Sequence, residues 1–192
     1  MHLINARQYT GPHDHFFQRY ADSVSDYRWD TWFDGNSGVT NNIGHPLMGA
    51  VAGSIELQND PSGRRLQIGR DRHYWNSRLR TLSWATAFSV QWEIGPLSES
   101  SLGNYGKTTW VRDGRVVNGT GLSDMIMTPV GGFGWILAED AVDKWMLPHA
   151  GCSMSKKRKV AWTALTPARS TANIFRLRAP WYRDAVATCA NN

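Results

Sequence analysis

Residues 41–60, "NNIGHPLMGAVAGSIELQND", decide how the rest of the chain is read. An apolar run from Ile43 to Ile55 opens on His45-Pro46 and thins to a bare backbone at Gly49 and Gly53. Proline suits the first turn of a helix, where its missing N–H is not needed. Asn59-Asp60-Pro61 cannot continue one. The stretch therefore predicts a helix over 45–58, with Asn42 or Gly44 at its entry. Gly49 and Gly53 fall one turn apart on one face and leave a groove for another backbone. The run is shorter than the roughly 20 apolar residues that a bilayer crossing needs.

Two further helices follow from the same logic. "HYWNSRLRTLSWATAFSVQWEI" predicts a helix over 73–94, with Leu79, Leu82, Ala85, Phe88 and Trp92 near helical spacing and Gly95-Pro96 as its stop. "DMIMTPVGGFGWILAEDAVDKWML" predicts a third over 124–147, capped by Ser123 and kinked or broken by Pro129 and the glycines after it. Gly131, Gly132 and Gly134 then supply the surface that faces Gly49 and Gly53. Between these helices, "TTWVRDGRVV" turns at Asp113-Gly114 and predicts a small hairpin. Residues 1–40 form a polar, aromatic segment with a short helix or irregular stretch around 13–26. Residues 149–192 form a tail with a basic loop and a short helix near 167–178, opening on Pro167. The expected fold is mainly α: one domain with a helical core at 41–148, a compact bundle of about three to five helices with close glycine-mediated packing, and a small β-hairpin.

Composition narrows the function classes. The chain has 192 residues, 41% hydrophobic and 19% charged, with ten tryptophans against six each of Phe and Tyr. Indole suits either a packed core with a polar partner or a bilayer interface. A mean hydropathy of -0.44 argues against a polytopic membrane protein. The net charge is +5 and is clustered, at Arg64, Arg65, Arg70, Arg72, Arg78 and Arg80, and again at Lys156, Lys157, Arg158 and Lys159. Such clusters meet phosphates of nucleic acid or anionic lipid, or else form a solvated face. "SKKRKV" (155–160) also has the form of a nuclear-localisation string, a weak motif. Aromatic residues are not interleaved with that run, as a base-stacking platform would want, so the nucleic-acid signal is not strong. Cys152 and Cys189 allow one disulfide without fixing a compartment. The first twenty residues show no secretory leader.

Polar residues gather at the ends of the apolar helices. His45 starts the first, Glu93 ends the second, Glu99 follows in "GPLSES", Asp124 opens the third, and Glu139-Asp140 closes its apolar run. Ionisable groups in such places can line a common pocket, where a carboxylate acts as acid, base or metal ligand. His45, Glu93, Glu99 and Asp124 are the catalytic candidates. Plainer readings stand beside them: a hydrogen-bonded structural His45, an Asp124 that complements a helix N-terminus, and a Glu93 ion-paired to an arginine. Glu139, Asp140 and Asp143, followed by Lys144, read as a solvated face. HExxH, P-loop and GxSxG templates are absent, no spacing within one element supports a metal site, and no cofactor is indicated.

"WFDGNSGVTNNIGHPLMGAVAGSI", "WEIGPLSESSLGN", "SDMIMTPVGGFGWILAEDAVDKW" and "TPARSTANIFRLRAPWYRD" together resemble a family of bacterial envelope proteins with a domain of unknown function. Its features are a Gly-His-Pro helix start, a Trp/Phe-Glu helix end and a Ser-x-Asp-x-x-x-Thr-Pro-x-x-Gly segment, matched over about residues 29–184. More distantly the chain is similar to VanZ-like membrane proteins. The resemblance implies a helical protein in the periplasm or at the membrane. It points to His45, Glu93, Glu99 and Asp124, and to Arg169 with Asn173 as binding positions. The expected function is a membrane-associated or periplasmic structural or ligand-binding role, with anionic lipid as partner. The alternatives are a hydrolase-like enzyme acting on a lipid-like substrate and a nucleic-acid binder.

Overall fold

A computed structural model describes residues 16–25, 27, 29–32, 36–98, 110–112, 115–117, 121–146 and 155–184. Glu99, Cys152 and Cys189 lie outside them. The first described helix, α1, is Phe16–Ser25. A π-helical turn, Thr40–Gly44, runs straight into α2, His45–Asn59, which carries Pro46 in its first turn. The expected stop operates through Asp60, whose Oδ1 accepts from the backbone N–H groups of Ser62 and Gly63 at 3.1 and 3.0 Å. The second long helix, α3, is Arg72–Ile94, with Asp71 accepting from the His73 N–H at its start and Gly95 at its end.

The break expected at Pro129 is present. The segment divides into a short α4, Leu122–Ile126, a π-helical turn over Met127–Gly131, and α5, Gly132–Met146. Ser123 is not the cap: Gly121 holds that position in extended conformation, and Ser123 lies inside the first turn. The N–H groups of Leu122 and Ser123 donate to the carbonyls of Thr31 and Trp32, so main chain from the N-terminal segment satisfies the orphan donors of α4. Strand β1, Trp110–Arg112, pairs antiparallel with β2, Arg115–Val117, Val111 opposite Val116. The basic run expected as a loop is instead helix α6, Lys156–Leu165, because the Ser155 side chain accepts from the Arg158 N–H and caps it. Pro167 opens α7, Pro167–Phe175.

α2 is the hub, packed against α3, the π-turn, α5 and α7. Its glycines make that density geometrically possible. A Cβ at Gly49 would lie 1.8 Å from the Thr128 carbonyl oxygen, and one at Gly132 would lie 2.6 Å from the Gly49 carbonyl carbon. Gly53 meets Ile136 and Thr81, and Gly131 meets the Pro46 ring. Gly134 departs from the expectation: nothing lies within 4 Å of a Cβ there. It projects 200° round the helix from Gly132, on the solvent side.

The interior is unusually polar. The small apolar centre is Ala50, Ile136 and Ala168, flanked by Leu47, Val51 and Trp135. α3 turns inward Tyr74, Ser77, Arg78, Thr81, Ala85 and Ser89. Its Trp75, Leu79, Trp84, Val90 and Trp92 are exposed. Of the residues expected to form its apolar stripe, Leu79 and Trp92 therefore face out.

Candidate functional site

Two polar clusters occupy opposite ends of α2. At its start, the first imidazole atom of interest, His45 Nε2, lies 3.0 Å from Asp124 Oδ1. The two side chains form an ion pair when the imidazole is protonated. The other ring nitrogen is 3.5 Å from Thr128 Oγ1. Asn36 donates to Asp124 Oδ2 at 3.1 Å, and Asn41 donates to Ser123 Oγ at 3.2 Å. The Ser89 hydroxyl on α3 donates to the Asp124 carbonyl at 3.4 Å. Glu93 stands one turn beyond Ser89 on the same side of α3. The fold thus joins His45 and Asp124, 79 positions apart in sequence, because the π-turn that follows α4 packs against α2.

At the other end of α2 lies a buried ionic network that the sequence does not announce. Glu139, Asp140 and Asp143 are 2%, 4% and 4% exposed, which overturns their reading as a solvated face. They share a stripe with Gly132 and Ile136, at steps of three and four, so their faces turn inward with the apolar ones. Opposite them stand three guanidiniums. Arg78, fully buried, donates from Nε to Asp140 at 2.6 Å and from its two Nη atoms to the carbonyls of Gly63 and Leu66. Arg169 donates to both Asp140 and Asp143. Arg183 donates to Asp143 at 2.9 Å and to Thr166 Oγ1 at 2.6 Å. Glu139 accepts from the N–H groups of Ala168 and Arg169 at 2.8 and 3.0 Å and from the Trp135 indole at 3.1 Å. Its carboxylate therefore caps the N-terminus of α7 from another helix.

The network sets its own proton affinities. Burial pushes the Asp140 carboxyl up, but Arg169 and Arg78 outweigh it and hold it below its ordinary range. Burial wins at Glu139, which is raised although Arg169 and the helix N–H groups pull it back. Tyr74, donating to Asp140 at 2.8 Å, is raised first by burial and then by that carboxylate. A crevice of about 30 Å³ opens beside Arg64, Asp143, Arg169, Arg183 and Asp184, enough for a water-sized group.

Arg169 and Asn173, the expected binding positions, both engage this chain. Arg169 belongs to the network just described. Asn173 lies 2.8 Å from the Gln58 side-chain amide on α2 and donates to the carbonyls of Pro180 and Tyr182 at 2.8 and 3.1 Å. Arg183 and Arg78 are the residues that sequence reasoning missed. Arg183 falls outside any periodic segment, and Arg78 reads as part of a basic surface run. Among the described residues, no three His, Cys, Asp or Glu side chains gather as a metal site would require. Comparison of the chain with protein-family models, curated proteins and solved structures finds no match in any of the three.

Proposed function

We propose that the protein is a membrane-associated binding protein of the bacterial cell envelope, docked on an anionic lipid surface. The carrying observation is the inverted partition of α3, which buries Ser77, Arg78, Thr81 and Ser89 and exposes Trp75, Leu79, Trp84, Val90 and Trp92. Large apolar side chains left outside mark contact with a partner or a bilayer, and indoles favour the headgroup boundary. No described helix is long and apolar enough to cross a membrane. Basic residues add roughly 1 kcal/mol each near anionic headgroups. The envelope assignment rests on the family resemblance. A nucleic-acid role has less support, because Arg64, Arg78 and Arg80 are engaged with Asp184, Asp140 and Glu56. Flotation with phosphatidylglycerol-rich vesicles tests the reading. Retention at low ionic strength, weakened but not abolished by salt, is expected, and no retention at low ionic strength overturns it.

The contact between His45 and Asp124 favours a second reading, a hydrolase-like enzyme. A carboxylate beside an imidazole orients it and stabilises its cationic form, the arrangement of a general base. Cleavage of short-chain acyl esters by the wild type and not by His45→Gln would support it. Equal rates in both proteins remove His45 from any such chemistry.

A further inference from the structure

We infer that the turn after α7, residues 174–178, is a further element that enters the bilayer besides the exposed side chains of α3, an inference that rests on the membrane-surface reading above. Three large apolar side chains point outward there: Ile174 is 56% exposed, Phe175 69% and Leu177 96%. Arg176 and Arg178 alternate with them. Leu177 is the one described non-glycine residue with a positive φ, 55°. The turn closes by Leu177 N–H to the Ile174 carbonyl at 2.9 Å and Arg178 N–H to the Asn173 carbonyl at 2.9 Å. This is the bond pattern of a helix terminus whose left-handed position ordinarily holds glycine. Leucine there meets backbone strain that glycine would avoid, while its side chain contributes almost no burial to the fold.

The turn is held rigidly. Asn173 ties it to Pro180 and Tyr182, and the Arg178 guanidinium lies 5.2 Å from the centre of the Tyr182 ring. On α6, Lys159 Nζ sits 5.3 Å from the centre of the Trp181 ring, three residues beyond the turn. One Arg176 Nη atom is shielded from solvent and makes no hydrogen bond among the described residues. Aliphatic tips flanked by guanidinium and ammonium groups match one partner chemistry, acyl chains beneath anionic headgroups. Leu177 and Phe175 enter the headgroup–acyl boundary, and the exposed Arg178 with the solvent-facing part of the half-buried Arg176 meets the phosphates above it.

Leu177→Gly separates this role from folding. The substitution relieves the left-handed strain and removes no buried contact, so the thermal midpoint stays equal or rises. Partition onto phosphatidylglycerol-rich vesicles is expected to fall about tenfold or more, the weight of one buried leucine. Phe175→Ser behaves likewise, and Arg176→Gln with Arg178→Gln flattens the salt dependence. If the wild type binds and Leu177→Gly binds within twofold of it, this inference fails while the membrane-surface reading stands. If the wild type itself fails to bind at low salt, both fall. If the double arginine variant loses a single-stranded oligonucleotide and keeps its vesicles, the turn serves nucleic acid and the inference is overturned.

Discussion

At Gly49 one missing carbon determines how close two segments come. A methyl group there would sit 1.8 Å from the Thr128 carbonyl oxygen and 2.6 Å from its carbon, both main-chain atoms that no rotamer change can move. Gly49→Ala is therefore expected to cost about 3 kcal/mol or more, since overpacking against backbone has no cheap relaxation. Gly134→Ala is the internal control. With open space around it in a helix, alanine should stabilise by about 0.5–1 kcal/mol through its lower chain entropy. Urea unfolding of both variants checks the pair, and a similar effect at the two positions would mean that α2 and the π-turn over Met127–Gly131 do not meet as described. The role of Gly49, Gly53 and Gly132 was legible because small residues one turn apart imply close approach. Gly134 misled because it shares their composition but not their helical angle. Asn173 was singled out only by resemblance; nothing in its spacing says that its amide braces a turn seven to nine residues later.

Among the elements, α5 carries the largest electrostatic commitment. Asp140 receives Arg78, Arg169 and Tyr74 together, so Asp140→Asn leaves two buried guanidiniums short of a counter-charge. The loss is expected to be about 3–5 kcal/mol. The pH dependence follows in sign from the same contacts. Asp140 is held below its ordinary value of 3.8, so the folded chain gives up that proton more readily than the unfolded one. Its stabilisation is complete above about pH 4 and is lost as the pH falls towards the depressed native value. Glu139 has the opposite sign: its raised carboxyl contributes fully below the unfolded value of about 4.5, and that contribution declines as the pH rises through the native one. Thermal melts across acid pH should show a shallower acid limb in Asp140→Asn than in the wild type. An unchanged limb would dissociate Asp140 from the guanidiniums. The helices themselves were largely readable, because Pro46, Asp60-Pro61 and Gly95-Pro96 are strong boundary signals. Which face turns inward was not. On α3 Ala85 is buried as the periodicity implies, but Leu79 and Trp92 face out while Arg78, Thr81 and Ser89 turn in, so an argument that assumes an oily interior assigns that helix only in part. α6 was missed for a related reason, since four basic residues outweighed a serine cap that needs only one hydrogen bond.

At the scale of the whole fold, the described residues bury many polar groups and leave many large apolar ones outside, against ordinary burial preferences. That distribution explains why composition alone left the compartment open: a negative mean hydropathy records how many polar residues there are, not where they sit. It also explains why the acidic stripe of α5 escaped notice. Its partners come from α3, from α7 and from Arg183, three places that share no local pattern. This wiring has a consequence for biosynthesis. During translation, α2, α3 and α5 are all synthesised before Arg169 and Arg183. Until those cations have emerged, Asp143 has neither of the two guanidiniums that neutralise it, and the acidic stripe of α5 stays open to water.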